Sequence, residues 1–299
     1  MTFEPHNAAW LEQSTQRVDQ AIADSFRHLA LKAGGLKEAM IYAATGGGKR
    51  IRPLLVYATA SLSGKPLDQI PGIDACAVAV ELFHTYSLVH DDMPCMDDDD
   101  LRRGRATVHK VYNESTALLV GDALQSMAFS LIADSALNDR QKVTVISHLA
   151  QSGGLDGMAG GQAIDLESVG KPLSRDSLET MHRLKTGALL RSSVQMGGVV
   201  AELSQPDLLK LDEFASSLGL LFQVVDDILD ASSDSQTLGK TAGKDAAANK
   251  PTFVSLMGLT DAKAFSEKLY DDAIASLSVW GENAQLLRLI AHKVQHRES

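Results

Sequence analysis

Residues 71–92 read PGIDACAVAVELFHTYSLVHDD, and Ala75, Val78, Ala79, Leu82, Phe83, Tyr86 and Val89 recur there at three- and four-residue steps. That spacing gathers them on one broad face of an α-helix. Pro71 stands where a helix can begin, because its fixed φ suits a first turn. Glu114 to Asp134 and Leu208 to Asp230 carry the same period. No stretch alternates apolar and polar residues as a half-buried strand would, and β-branched runs are scarce. The expected fold is therefore all-α, a bundle of long core helices with short connections. Breaks fall at Gly46-Gly47-Gly48, Gly64-Lys65-Pro66, Asp97 to Gly104, Gly170-Lys171-Pro172 and Ser232 to Lys250. The last is the longest polar stretch and a candidate flap over a site. No linker divides the chain and no fixed-period repeat is visible, so one domain over residues 1–299 is expected.

Composition narrows the function. With 44% hydrophobic and 22% charged residues, the chain has the make-up of a globular protein. A formal charge of −10 opposes nucleic-acid binding, which normally needs a basic face. Cys76 and Cys95 form neither a disulfide framework nor a zinc spacing, and a reducing, cytoplasmic setting is the simplest expectation. The N-terminus shows no basic leader followed by an apolar core. No apolar run reaches the roughly 18–20 residues that span a bilayer, so no transmembrane segment is expected.

The chemistry lies in two aspartate clusters, Asp91-Asp92-Met93-Pro94-Cys95-Met96-Asp97 and Asp226-Asp227-Ile228-Leu229-Asp230. Carboxylates crowded this closely repel one another, and a hard cation such as Mg²⁺ relieves the repulsion while offering open positions to phosphate oxygens. Asp226 and Asp230 are i and i+4 on a helix and share a face, with Gln223 one turn back. Asp227 points about 100° away. Asp91 and Asp97 are out of phase on an ideal helix, and Pro94 cannot sit in a helix interior. The chain must therefore end its helix or bulge there and bring Asp97 back towards Asp91. Asp98-Asp99-Asp100 reads equally well as a solvated loop. Asp91 and Asp226 do not, since a carboxylate at a helix C-terminus opposes the helix dipole unless a cation is present.

Basic residues complete an anion site: Lys49, Arg50 and Arg52 after the glycine run, Arg102-Arg103 after the first cluster, and Lys240, Lys244 and Lys250 after the second. Arginine favours bidentate contacts to phosphate oxygens. A nucleotide-binding glycine loop fails twice, at Ala43 and Arg50. His84 and His90 suggest a helical metal phosphohydrolase, but aspartate outnumbers histidine around both clusters. His90 reads as a hydrogen-bonded core or rim residue.

Together these residues resemble the trans-isoprenyl diphosphate synthase family, most closely its bacterial farnesyl diphosphate synthases. The resemblance runs from about Ala43 to Leu256. Its pieces stand in family order: Gly47-Gly48-Lys49-Arg50-Ile51-Arg52-Pro53, Glu81 to Asp92, Asp98-Asp99, Leu101-Arg102-Arg103-Gly104, Gly121-Asp122, Gly161 to Leu166, Lys185-Thr186-Gly187, Phe222 to Asp227, and Gly239-Lys240 with Lys250. Ala106 stands where a proline is usual, and Phe253-Val254 replaces the usual Tyr-Pro. Both departures bear on loop rigidity.

The resemblance implies a central cavity and a head-to-tail condensation of isopentenyl diphosphate with allylic diphosphates. It implies three Mg²⁺ per site, with Mn²⁺ as the alternative ion. Asp91 and Asp97, with Asp92 assisting, would bind two ions; Asp226, with Asp227 and Asp230 assisting, would bind the third. Arg102, Lys185 and Lys240 would hold the allylic diphosphate, with Lys250 beside them, and Lys49, Arg52, His84 and Arg103 would hold isopentenyl diphosphate. Thr186 and Gln223 would turn oxygen dipoles towards the cation near a helix break at Gly187. Tyr86, beside the smaller Ser87, would close the floor below Asp91 and set a C15 product. A homodimer through the helix around Glu114 to Asp134 is also implied. Rival readings are a C10 or C20 synthase, a terpene cyclase, a non-catalytic partner subunit, and the phosphohydrolase.

Overall fold

A computed structural model of the chain describes residues 5–27, 29, 31–232 and 250–297. In chain order its helices are α1 (Pro5–Ser25), α2 (Gly34–Ala44), α3 (Ile51–Ala60), α4 (Ile73–Asp91), α5 (Val108–Val111), α6 (Glu114–Ala133), α7 (Asp139–Gly153), α8 (Met158–Glu167), α9 (Arg175–His182), α10 (Ala188–Val200), α11 (Gln205–Ser232), α12 (Phe253–Met257), α13 (Leu259–Ser276) and α14 (Gln285–Gln295). The all-α expectation holds, with one small exception. A two-residue antiparallel ribbon pairs β1 (Leu101–Arg102) with β2 (Arg105–Ala106). Both residues of its turn, Arg103 and Gly104, have positive φ, as the tight hairpin turn requires.

Helix α4 is apolar on nearly every side, with Cys76 through Phe83 continuously buried, and a helix of that kind belongs in a core. It starts at Ile73, with Gly72 in a left-handed conformation as the capping residue, so Pro71 lies just outside it. Around α4 gather Val56 and Tyr57 of α3, Ala39 and Met40 of α2, and Val120, Leu124 and Ile132 of α6. A second core joins α10, α11, α13 and α14. Helix α3 serves both, because Leu54, Leu55 and Ala58 face the second core while Val56, Tyr57 and Ala60 face the first.

Inside this apolar setting sits Glu81 of α4, which accepts a hydrogen bond from Arg50 Nη1 at 2.8 Å with both side chains buried. Arg50 takes a left-handed backbone conformation (φ 50°) immediately before α3 and also donates to Asp19 and to the Ala44 carbonyl. Those bonds fix the turn that carries Lys49 and Arg52.

The expectation that no apolar segment reaches bilayer-spanning length is corrected by α6, which is long and apolar enough on composition alone. It packs along α4 instead. Gly121 leaves room for the His90 ring, whose Nε2 lies 3.0 Å from the Leu118 carbonyl, so His90 is the rim residue the sequence suggests.

Candidate active site

The first aspartate cluster is built by the end of α4. After Asp91 the chain turns at Met93–Pro94 and comes back on itself: the Asp97 N–H donates to the Asp91 carbonyl at 2.9 Å, and the Asp98 N–H to that of Met93. The predicted return of Asp97 to Asp91 is therefore present, fixed by backbone. Gln162 Nε2 on α8 donates to Asp91 Oδ1 at 2.5 Å. Burial pushes the Asp91 carboxyl up to about 6, with Lys185 opposing and Asp97 adding to the rise. A carboxylate so placed gains from any additional cation. Asp92 faces elsewhere. It is buried and hydrogen-bonded to Arg102, whose Nε lies 2.9 Å away and whose Nη2 also contacts Asp99.

The second cluster lies near the end of α11. Asp226 and Asp230 are partly exposed on one face, while Asp227 is buried, as the 3.6-residue period requires. Gln223 Oε1 accepts from Thr186 Oγ1 at 3.1 Å. The chain around Thr186 is not the break expected at Gly187. Arg183–Gly187 form a π-helical turn that runs continuously from α9 into α10. The extra residue re-aims Lys185 and Thr186 without severing the helix, a device common at functional sites. Glycines permit the close packing this needs, since a Cβ at Gly161 would strike the Lys185 backbone and one at Gly219 would lie 2.7 Å from Gly187 Cα.

Two cavities meet here. One, of about 440 Å³, is lined by Lys49, Arg52, His84, Arg103, Asp99 and Asp226. The other, of about 390 Å³, is largely apolar below Asp91, Lys185 and Thr186, with Tyr86, Ser87, Met158 and Leu166 in its wall. Arg52, His84 and Leu88 line both, so the cavities are contiguous. In the first, Arg52 Nε is sealed from solvent without a hydrogen-bond partner among the described residues. Burial pulls this guanidinium down to about 10, Glu81 opposing the fall and Arg103 adding to it. Burial and then the arginines around it hold the His84 imidazole well below its ordinary value, hence neutral. Lys49, Arg52 and Arg103 beside a neutral imidazole make a wall suited to a multiply charged anion.

The polyprenyl synthetase family model matches residues 34–281. The chain belongs to the polyprenyl synthetase family. It is 45% identical to the farnesyl diphosphate synthase of Escherichia coli over 92% of each chain. It is 41% identical to a chloroplastic geranylgeranyl pyrophosphate synthase of Catharanthus roseus, over 97% of this chain and 81% of that one. Among solved structures, a geranyltransferase of Helicobacter pylori complexed with magnesium and isoprenyl diphosphate superposes with a TM-score of 0.86 at 32% identity, covering 98% of both chains. The chain is a trans-prenyltransferase with the all-α fold of its family.

Three acidic groups of this polyprenyl synthetase have a protein cation beside them: Lys250 Nζ lies 3.3 Å from Asp97, Arg297 Nη2 2.8 Å from Asp226, and Lys185 Nζ 2.6 Å from Asp165. Among the described residues no three His, Cys, Asp or Glu side chains converge into a closed metal cage. Mg²⁺ binds through one or two carboxylates plus substrate phosphates and keeps several waters. The all-oxygen donors Asp91, Asp97 and Asp226 suit it. Asp92 is buried against Arg102. Arg102 lines the cavity of Lys49 and Arg103 and is absent from the wall of the Lys185 cavity. Lys240 lies outside the described residues. Sequence reading gave no part to Arg297, Asp165 or Gln162; only the Gly161 to Leu166 motif pointed towards the last two.

His182 sits behind Lys185 with neither ring nitrogen hydrogen-bonded among the described residues, its ring 5.5 Å from that of Phe253. Burial holds it down at about 3. A histidine depressed below its unfolded value contributes fully above that value and progressively less as pH falls towards the folded one. Between pH 7 and pH 5 the loss from this residue is about 2 kcal/mol. His182→Phe is expected to shrink the pH 7-to-5 fall in unfolding free energy by that amount, read from urea midpoints; an unchanged fall would contradict the burial of a neutral ring.

Proposed function

We propose that this polyprenyl synthetase condenses isopentenyl diphosphate head to tail with dimethylallyl and then geranyl diphosphate, giving the C15 product farnesyl diphosphate. The observation that carries the reading is the pair of contiguous cavities, a basic one lined by Lys49, Arg52 and Arg103 beside an apolar one with Tyr86 in its wall. The allylic tail lies in the apolar cavity, with its diphosphate between Asp91, Lys185 and Asp226. Isopentenyl diphosphate is held by Lys49, Arg52, Arg103 and the neutral His84. Mg²⁺, three ions in our reading and held by Asp91, Asp97 and Asp226, would supply the charge that stabilises departing pyrophosphate.

As the allylic C–O bond breaks, its electron pair leaves with pyrophosphate, and the cation left behind meets the double bond of isopentenyl diphosphate. A C–C bond forms, and one proton is lost to the pyrophosphate. Thr186 and Gln223, hydrogen-bonded to each other, orient oxygen dipoles towards the cation, and the apolar wall keeps water from quenching it.

The test is incubation with Mg²⁺, isopentenyl diphosphate and either dimethylallyl or geranyl diphosphate, followed by chain-length analysis. C15 is expected from both primers. A C10 or C20 end product would overturn the chain length, and no prenyl product at all would overturn the reaction. Helix α6 leaves Leu118 and Leu119 exposed, which supports a homodimer through this face, and sedimentation of the pure protein reads its mass. Both thiols are free, in keeping with our placement of the enzyme in the cytoplasm.

A further inference from the structure

The two adjacent aspartates that begin the second cluster do different work. Asp226 faces the basic cavity and meets Arg297. Asp227 is 4% exposed and turned the other way. Its Oδ2 accepts a hydrogen bond from the Phe253 N–H at 2.7 Å, in a buried contact, and its Oδ1 lies 3.4 Å from Gln223 Nε2. The Phe253 N–H opens α12, and at a helix start such a donor has no partner within the helix. A carboxylate there meets both the orphan donor and the positive end of the short helix dipole. The Phe253 side chain is wholly buried between the rings of His182 and Phe265, and Thr252 and Ser255 close a capping box around the same turn. Three residues upstream, Lys250 reaches Asp97 at 3.3 Å and Asp165 at 3.7 Å.

We infer that Asp227 is a positioning residue: it pins the start of α12 to α11, thereby setting Lys250 against Asp97 and holding Gln223 in register with Thr186. This rests on the assignment of Lys250 and Asp97 to the diphosphate site. One side chain thus fixes both the cation that neutralises the first cluster and the oxygen dipoles offered to the carbocation. A metal ligand and an anchor make opposite demands on chemistry. A ligand needs the negative charge, whereas an anchor needs an acceptor oxygen at the right place.

The experiment compares Asp227→Asn, Asp227→Ala and Asp226→Asn in the full-length enzyme. It reads deuterium exchange at the Phe253 amide, the KM for geranyl diphosphate and the Mg²⁺ concentration for half-maximal rate. Asp227→Asn keeps an acceptor and is expected to leave Phe253 protected, with a KM change several-fold smaller than that of Asp227→Ala. Asp227→Ala is expected to speed exchange at Phe253 by about ten- to a hundredfold, as loss of one buried charged hydrogen bond predicts. It is expected to raise KM with little change in the Mg²⁺ requirement. If Asp227→Asn instead matches Asp226→Asn, with a raised Mg²⁺ requirement and a still-protected Phe253 amide, Asp227 is a ligand and the inference is wrong. Should Asp227→Ala not fold, the Asn variant alone decides. A wild-type enzyme that makes no prenyl product, with Phe253 protection still dependent on Asp227, would fault the function and leave the anchor standing.

Discussion

Asp91→Asn is expected to lower turnover by about a thousandfold while the helical content and melting temperature stay close to those of the parent. The magnitude follows from electrostatics. A cation about 4 Å from the leaving diphosphate contributes roughly 4 kcal/mol at an effective dielectric near 20, and each 1.36 kcal/mol is a factor of ten in rate. The variant keeps the shape of the side chain and its acceptor for Gln162, so the loss is one of charge. Asp226→Asn is expected to behave similarly, with a second consequence. Arg297 pairs with Asp226 at 2.8 Å, and removing the carboxylate charge leaves a buried guanidinium among Lys49, Arg52 and Arg103. Steady-state rates with geranyl and isopentenyl diphosphates, alongside thermal unfolding, separate the two effects. Parent-like rates in both variants would exclude the metal-holding parts proposed for these residues.

Asp92 supplies the contrast. It is neighbour to Asp91 in sequence and turned away from it in space, where it holds Arg102. On our proposal the adjacent carboxylates of the first cluster divide between chemistry and architecture, as Asp226 and Asp227 do in the second. In each pair one side chain must face the cavity, and the helical period turns its neighbour into protein.

That division was half legible in the sequence. The period alone places Asp226 with Asp230 and turns Asp227 aside, and Pro94 alone forces the return of Asp97. What the turned-away residues meet was not legible, because the partners are remote: Phe253 is 26 positions from Asp227, and Lys250 is 153 from Asp97. The same reason hid Arg297, a basic residue far from any motif, and Asp165, whose motif could be quoted but not assigned. Helix periodicity exposed α4, α6 and α11 because each keeps its pattern over many turns. The π-turn at Arg183–Gly187 escaped, since a glycine after Lys185-Thr186 marks a helix end and a helical irregularity alike. The two-residue ribbon at Leu101–Arg102 was too short to show an alternation.

Tyr86→Ala is expected to shift the end product from C15 to C20. Tyr86 is five residues before Asp91 on α4, about 7.5 Å down the axis from the diphosphate end. Its ring lies edge-on to Phe83, with centroids 4.7 Å apart, and Phe83 in turn lies edge-on to Phe129 of α6. It is therefore a braced wall that a growing tail cannot push aside, while Ser87 leaves the mouth of the cavity open. Truncation removes the ring but not the support behind it. Phe83 lies one further turn down, about 4.5 Å along the axis, and is itself wedged against Gly153 and the Phe129 ring. Elongation should consequently stop after one extra isoprene unit, with longer chains needing a second truncation at Phe83. Removing a buried aromatic side chain costs about 3–5 kcal/mol of stability, so the variant should melt earlier even as its product lengthens. A homogeneous C15 product from a fully active Tyr86→Ala enzyme would show that the floor lies elsewhere. A spread well beyond C20 would show that Phe83 does not form its second layer.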